Sequence, residues 1–278
     1  MAIKQSNPVT PGRRQHQVAD FSLLTKEQPF KSLLVPLKRK GGRNNRGRVT
    51  VRHQGGGHKR HYRLIEFGQK HLGQHGRVEA LEYDPNRTAF IARIVWQDGS
   101  RSYILAPQGL EQGHQVQYGE TAPLNSGNRA MLQNISVGTK VYNVELKPGG
   151  GGKLARSAGS WVEVMAHEGD YTNLKMPSGE IRRVLSRGFA SIGQLSNPEW
   201  TLLSLGKAGR SRWMGIRPTV RGSAMNPRDH PYGGGEGRAV RGTRRPKTKW
   251  GKITGGKKTR KKKKWSNVFI MQRRPKKK

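Results

Sequence analysis

The last 41 residues, 238–278, carry 19 Lys and Arg and not one Asp or Glu. A segment so charged repels itself and resists collapse in water. The whole 278-residue chain has a formal net charge of +37, distributed unevenly. Residues 1–63 contribute +13, 64–205 only +1, 206–237 +4, and 238–278 the remaining +19. A nearly neutral middle is therefore flanked by cationic ends. Runs such as RKKKK at 260–264 and PKKK at 275–278 are expected to be disordered alone. A polyanion that takes up their charge and sheds its counterions would order them. Basic stretches interleaved with Trp and Gly point to nucleic acid rather than to a merely solvated tail.

The length allows about two domains. Only 32% of residues are hydrophobic, and the 37 glycines are nearly double the usual share of ~7%. One or two small cores with long irregular segments fit that composition. With no Cys there are no disulfides, no thiolate zinc sites and no Cys nucleophile. No apolar run approaches the ~20 residues of a membrane span, so no membrane partner is expected. The opening MAIKQSNPVTPGRRQ lacks the apolar stretch of a signal peptide, and a reducing, nucleic-acid-rich compartment is expected.

Four segments are expected. Residues 1–60 read as an extended basic arm. Residues 61–125 read as a first small β-barrel, with strands at 62–67, 78–83, 90–96 and 102–105, a turn at Asp84-Pro85-Asn86 and a hairpin signal at Asp98-Gly99. Residues 126–205 read as a second, with strands at 140–146, 161–167, 171–176 and 180–185. Leu174 and Met176 straddle Lys175 with the period of a half-buried strand. Residues 206–278 read as an irregular cationic extension. No long helix is expected, only short helical turns near 108–110 and 202–206.

The run KRKGGRNNRGR at 38–48 places six cations around three glycines. Glycine lets a backbone approach a phosphate closely while the cations supply counter-charge, which makes Arg43, Arg46 and Arg48 candidate RNA contacts. His53, His58 and His61 follow among Arg52, Lys59, Arg60 and Arg63. Their spacing suggests a metal cluster, but with no Cys and no carboxylate before Glu66 the expectation is contact with phosphate, ribose and bases. The densest cluster is RSRWMGIRPTVRGSAMNPRDHPYGGGEGR at 210–238. Arg210, Arg212, Arg217, Arg221, Arg228 and Arg238 can pair with phosphates, Trp213 and Tyr232 can stack, and Asn226 can hydrogen-bond. Gly233, Gly234 and Gly235 remove side chains where the chain passes something closely.

Asp229-His230 invites a general-base reading. No nucleophile stands beside the pair and no apolar wall flanks it, so a backbone-fixing or RNA-contacting role is expected for both. Two phosphate-loop readings fail. In GGGGKL at 149–154, Leu follows Lys153 and Lys147 occupies the first glycine position. In GKITGGKK at 251–258, Lys258 replaces the metal-binding hydroxyl.

The stretch GIRPTVRGSAMNPRDHPYGGGEGR at 215–238 strongly resembles the large-subunit ribosomal protein L-two family, bacterial type. The blocks GRNNRGRVTVRHQGGGHKRHYR at 42–63, LEYDPNR at 81–87, YILAPQGL at 103–110, NVELKP at 143–148 and GKLARSAG at 152–159 are similar to it too, as are 250–260 and 269–274. The resemblance implies a mainly β fold, an OB-like barrel then an SH3-like barrel, with long irregular basic extensions. It implies a primary rRNA-binding protein of the large subunit, acting in assembly, subunit association, tRNA binding and organisation of the peptidyl-transferase region without doing the chemistry. On its matching blocks it adds Lys153, Arg156, Lys257, Lys258, Arg260, Arg273 and Arg274 to the expected RNA contacts, and the cationic extension adds Lys207, Arg244 and Arg245. Where the family carries His-Pro-His this chain has His230-Pro231-Tyr232, so no mechanism needing two imidazoles carries over.

The expected partners are large-subunit rRNA, neighbouring ribosomal proteins, the small subunit at an intersubunit contact and the vicinity of tRNA, with no homo-oligomer. No cofactor is expected, and Mg²⁺ only as RNA-associated ions, because the chain offers no carboxylate cage. The expected location is a ribosome in a bacterial-type cytoplasm, with an organellar ribosome as the alternative. Two rival functions are a nucleic-acid enzyme using Asp229, His230 and Glu236, and a non-specific packager of duplex DNA.

Overall fold

The structure, a computed structural model, describes residues 3–25, 28–237, 239–256 and 258–275. In chain order the strands are β1 (Ile3–Gln5), β2 (Gln17–Ala19), β3 (Leu34–Pro36), β4 (His61–Arg63), β5 (His75–Glu82), β6 (Ile91–Trp96), β7 (Arg101–Leu105), β8 (Gln115–Gln117) and β9 (Arg129–Met131). They continue as β10 (Lys140–Tyr142), β11 (Val144–Glu145), β12 (Gly152–Leu154), β13 (Val162–Glu168), β14 (Tyr171–Lys175), β15 (Ile181–Leu185) and β16 (Phe189–Ile192). Among the described residues a single α-helix of six residues, α1 (Ala208–Trp213), precedes the last strand, β17 (Ile270–Gln272). Among the described residues no helix is long and apolar enough to cross a membrane.

The chain divides into two compact units. One comprises Met1–Lys38, Lys59–Ala208 and Ser266–Lys278 and holds both β bodies; the other comprises Arg39–His58 and Gly209–Trp265. The expected 1–60 arm is thus shared between the units. Its first part is ordered by pairing: Ile3↔Ala19 joins β1 to β2, and Leu34↔Arg63 joins β3 to β4.

The first body is the antiparallel sheet β7-β6-β5-β8. Asp98-Gly99 makes the β6–β7 hairpin: Gly99 has φ +76°, and Asp98 Oδ1 accepts from Ser100 N at 2.9 Å. Ala92, Ile94 and Trp96 point from alternate positions of β6 into a core with Val78, Ile104 and Val116. On the other face Arg93 is buried, donating to Glu79 at 2.6 Å and Glu82 at 2.9 Å, while Tyr103 donates to Glu82 at 2.8 Å. Burial, against the Phe30 N–H bond and with the Glu82 bond, pushes the Tyr103 phenol up to about 12.

The second body is the sheet β17-β15-β14-β13-β10-β16-β9, closed over Leu132, Ile135, Val141, Val162, Val164, Leu174 and Val184. The expected strand over 140–146 breaks into β10 and β11 because Asn143 sits at φ +49°. Behind the break Arg129 and Glu145 form an ion pair at 3.3 Å with both side chains fully buried. Arg129 also donates to the Asn143 carbonyl at 3.0 Å, and Glu145 accepts from Phe189 N at 3.3 Å. A third apolar cluster, Ala89, Leu105, Tyr142 and Leu195, joins the two bodies, and Tyr142 donates to the Leu105 carbonyl at 3.2 Å. The expected helical turn at 202–206 lies one step earlier, as a 3-10 turn over Pro198–Leu202, and 108–110 forms a plain turn.

Removing one member of a buried ion pair strands the other charge away from water. Arg129→Met or Glu145→Leu alone is expected to cost about 3–5 kcal/mol, and the double replacement much less, compared by urea unfolding midpoints.

Candidate nucleic-acid interface

The unit formed by Arg39–His58 and Gly209–Trp265 holds 25 Lys and Arg against two acids, Asp229 and Glu236. None of its described residues is buried. Without a core, its shape comes from backbone hydrogen bonds and close backbone approaches.

Asn44 organises the first loop. Its Oδ1 accepts from Arg46 N and Arg48 N, both at 3.0 Å, and its own N–H donates to the Arg48 carbonyl at 2.9 Å. This local turn, with the Arg43↔Val49 bridge, displays Arg43, Arg46 and Arg48 in exposed positions. The following segment pairs with the end of α1. Gly55 N donates to Gly215 O at 2.9 Å, His58 N to Trp213 O at 3.0 Å, and Arg217 N to His53 O at 3.0 Å. The His53 Nδ1–H donates to the Pro218 carbonyl at 2.9 Å, which fixes its tautomer. His58 packs on Trp213 with ring centroids 5.8 Å apart, and Trp213 stays 48% exposed. Gly57 is obligatory: at φ +83°, an added Cβ would lie 2.7 Å from Trp213 O.

The Asn226 carbonyl accepts from Asp229 N at 2.9 Å and His230 N at 3.3 Å, winding a tight turn. Gly233 closes it, since a Cβ there would stand 2.2 Å from Asn226 O. Gly234 N donates back to Met225 O at 3.1 Å, and Gly235 follows in an exposed position. His230 Nδ1 accepts from Tyr232 N at 3.1 Å, which puts the proton of the neutral ring on Nε2. Asp229 pairs with Arg228 at 3.7 Å instead of orienting His230. Tyr232 is an internal pin as well as a surface ring: its hydroxyl accepts the Lys247 N–H, its ring lies 4.7 Å from His230, and Arg241 lies 6.0 Å over it. Arg52 at 5.6 Å and Lys249 at 5.1 Å share the exposed Trp250 ring. Arg210 and Arg212 are half-buried on α1, whereas Arg217, Arg221, Arg244, Arg245 and Lys258 are exposed. Arg260 lines, with Thr259, Lys261 and Lys264, a cavity of about 480 Å³. Arg238 and Lys257 lie outside the described residues.

The remaining expected contacts sit on the barrel-bearing unit. Lys59, His61, Lys153, Lys207 and Arg274 are exposed. Arg60 donates to the Pro85 carbonyl at 2.8 Å, Arg63 lies 3.8 Å from buried Asp84, Arg156 packs 4.5 Å over Phe67, and Arg273 reaches Asn267 at 3.4 Å. His53, His58 and His61 each have separate surroundings, and among the described residues no three His, Asp or Glu side chains converge as metal ligands would. Arg87, in the LEYDPNR block, is bonded to buried Asp84 at 2.6 Å.

Two small β bodies and a coreless surface of displayed cations define a structural protein built to hold a polyanion. The family model for the RNA binding N-terminal domain of Ribosomal Proteins L2 matches residues 30–118, and that for the C-terminal domain matches residues 125–251. The chain belongs to the ribosomal protein L2 family: it is a structural, RNA-binding protein of the large ribosomal subunit, and its β bodies fit the OB-like and SH3-like barrels.

Gly57→Ala is expected to loosen the 53–58 and 213–217 pairing by about 1–3 kcal/mol. The measurement is faster amide hydrogen exchange at Gly55 and His58, with the barrel amides unchanged.

Proposed function

We propose that this chain is a primary rRNA-binding protein whose coreless cationic unit settles onto large-subunit rRNA during assembly. The observation that carries this reading is the conjunction of 25 cations in Arg39–His58 and Gly209–Trp265 with no buried residue among those described there. Such a unit gains little from burial and loses much to self-repulsion, so a polyanion is its natural stabiliser. Phosphate pairing by arginines such as Arg43, Arg48, Arg217 and Arg221 supplies affinity. Exposed Trp213 and Trp250 offer stacking faces for unpaired bases, and the irregular loop path suits folded RNA better than a uniform duplex.

The same reading extends to subunit association, to tRNA binding and to organisation of the peptidyl-transferase region by the Asn226–Gly235 turn, in contact with neighbouring ribosomal proteins. His230 acts there as a structural imidazole. Its Nδ1 is occupied by Tyr232 N, and Asp229 is engaged with Arg228, which supports positioning over proton transfer. Any Mg²⁺ in the vicinity belongs to the RNA, and the setting is a bacterial-type ribosome.

Binding of the full chain to large-subunit rRNA is expected to fall steeply with salt, with log K against log salt losing about 0.7–0.9 per phosphate contact. Truncation after residue 237 should flatten that slope. Equal affinity for random duplex DNA would favour a packager instead. His230→Gln in assembled particles is expected to leave peptide-bond chemistry near normal, and an inactive but fully assembled particle would reinstate catalysis.

A further inference from the structure

The sheet of the second body turns one face to the core and the other outward. On β14 Leu174 points into the core, so Asn173 and Lys175 lie on the outer face. On β15 Arg183 stands directly across from Asn173 and shares that face. Its guanidinium packs 5.2 Å over the Tyr171 ring, and the same ring meets Phe269 at 6.2 Å. The Arg183 main chain is fixed as well, since its N–H donates to the Phe269 carbonyl at 2.9 Å.

Two polar atoms on this face lack partners. Arg183 Nε is buried without a hydrogen bond, and so is Asn173 Oδ1. One donates and the other accepts, and Asn173 as a whole is only 7% exposed. Among the described residues Arg183 has no carboxylate within ion-pair reach. Groups around them are satisfied: Lys175 pairs with Glu163 at 3.2 Å, and Thr172, on the core side, bonds His167 at 3.0 Å and Ser186 at 2.9 Å. Orphaned buried donors and acceptors are rare in folded proteins, because each has given up its bonds to water. A fixed arginine, an aromatic ring and an unpaired amide held together have the make-up of an interface hot spot.

The leftover atoms select the occupant. Phosphate oxygens only accept, which would serve Arg183 and leave Asn173 Oδ1 unsatisfied. A second copy of this chain is repelled by its own charge of +37. A protein segment supplies both halves, a carboxylate and an N–H. We propose that Tyr171, Asn173 and Arg183 form a docking site for a carboxylate-bearing segment of another protein. The carboxylate pairs with Arg183, and a partner N–H donates to Asn173 Oδ1. Tyr171 holds the guanidinium in place before the partner arrives, which lowers the entropy lost on docking. The site lies outside the rRNA-binding reading and does not depend on it.

The probe is a short peptide alternating Glu with Val, titrated onto the full chain at about 0.5 M salt, where charge attraction beyond roughly 4 Å is screened. NMR follows the amide signals of Tyr171, Asn173 and Arg183, with thermal melting of each variant. Saturable shifts at these residues are expected, and none from the same peptide with Gln in place of Glu. Arg183→Gln is expected to lower the affinity about tenfold and Asn173→Leu about threefold. Should either variant melt early, Arg183→Lys, which keeps the charge but not the planar fork, carries the test with a loss of about threefold or more. Lys175→Gln removes an equal charge from the same face and is expected to leave the affinity unchanged. No saturable shift, equal affinity in Arg183→Gln, equal binding of the Gln peptide, or shifts confined to residues 39–58 and 209–265 would overturn the site. A shallower salt dependence of rRNA binding in Arg183→Gln, without peptide binding, would give the face to RNA instead. Failure of the unaltered chain to bind rRNA would sink the rRNA-binding reading and leave the peptide result standing.

Discussion

Mutual repulsion among like charges is the constraint to which the rest of the molecule answers. In the barrel-bearing unit two buried arginines are matched by carboxylates, Arg129 by Glu145 and Arg93 by Glu79 and Glu82. In the other unit cations outnumber acids so heavily that matching is impossible, and none of the described residues is buried. That surface keeps its course through main-chain bonds such as His58 N to Trp213 O, and through glycines that let two backbones meet. Most of the described cationic side chains there stand exposed, while a few polar ones such as Asn44 and Tyr232 hold the backbone. The division of labour is physical before it is functional: burial stabilises one half, and the other awaits counter-charge.

Much of this was legible in the chain. β6 and β7 follow from the β-branched, aromatic run at 90–96 and the Asp98-Gly99 turn, whose side chain and positive φ close the hairpin. Leu174, Lys175 and Met176 alternate as a half-buried strand must, with Leu174 in the core and Lys175 outside. Less legible was what long-range pairing decides. β16 is buried at all four residues and has no alternation to read, and β17 follows a basic run yet returns to pair with β15. The break at Asn143 depends on a left-handed backbone that accommodates the neighbouring buried Arg129.

The interface was readable as chemistry but not as geometry. Glycine and arginine spacing over 38–48 and 210–238 marked the segments that form the cationic unit. Nothing in that spacing tells that Asn44 folds the first loop on itself, or that Tyr232 spends its hydroxyl on Lys247 N. Arg63 belongs to a basic run with Lys59 and Arg60, whereas Arg129 stands as a lone cation between Asn128 and Ala130. That the first faces Asp84 near the surface and the second is sealed against Glu145 inside the second body is decided by the folded partner.

The pairing of β3 with β4, and of β17 with β15, has a topological consequence. Residues 39–58 leave beside one strand and come home beside its mate, while 209–265 depart after Ala208 and re-enter just ahead of β17. Neither piece dangles; each is an excursion moored at both ends. Closure entropy rises only logarithmically with contour length, about 0.6 kcal/mol per doubling, so insertions and deletions inside these excursions cost the host little. A single nick within either would leave both cut ends tethered to the same scaffold, so evolution can rewrite what these loops grip while the moorings stay put.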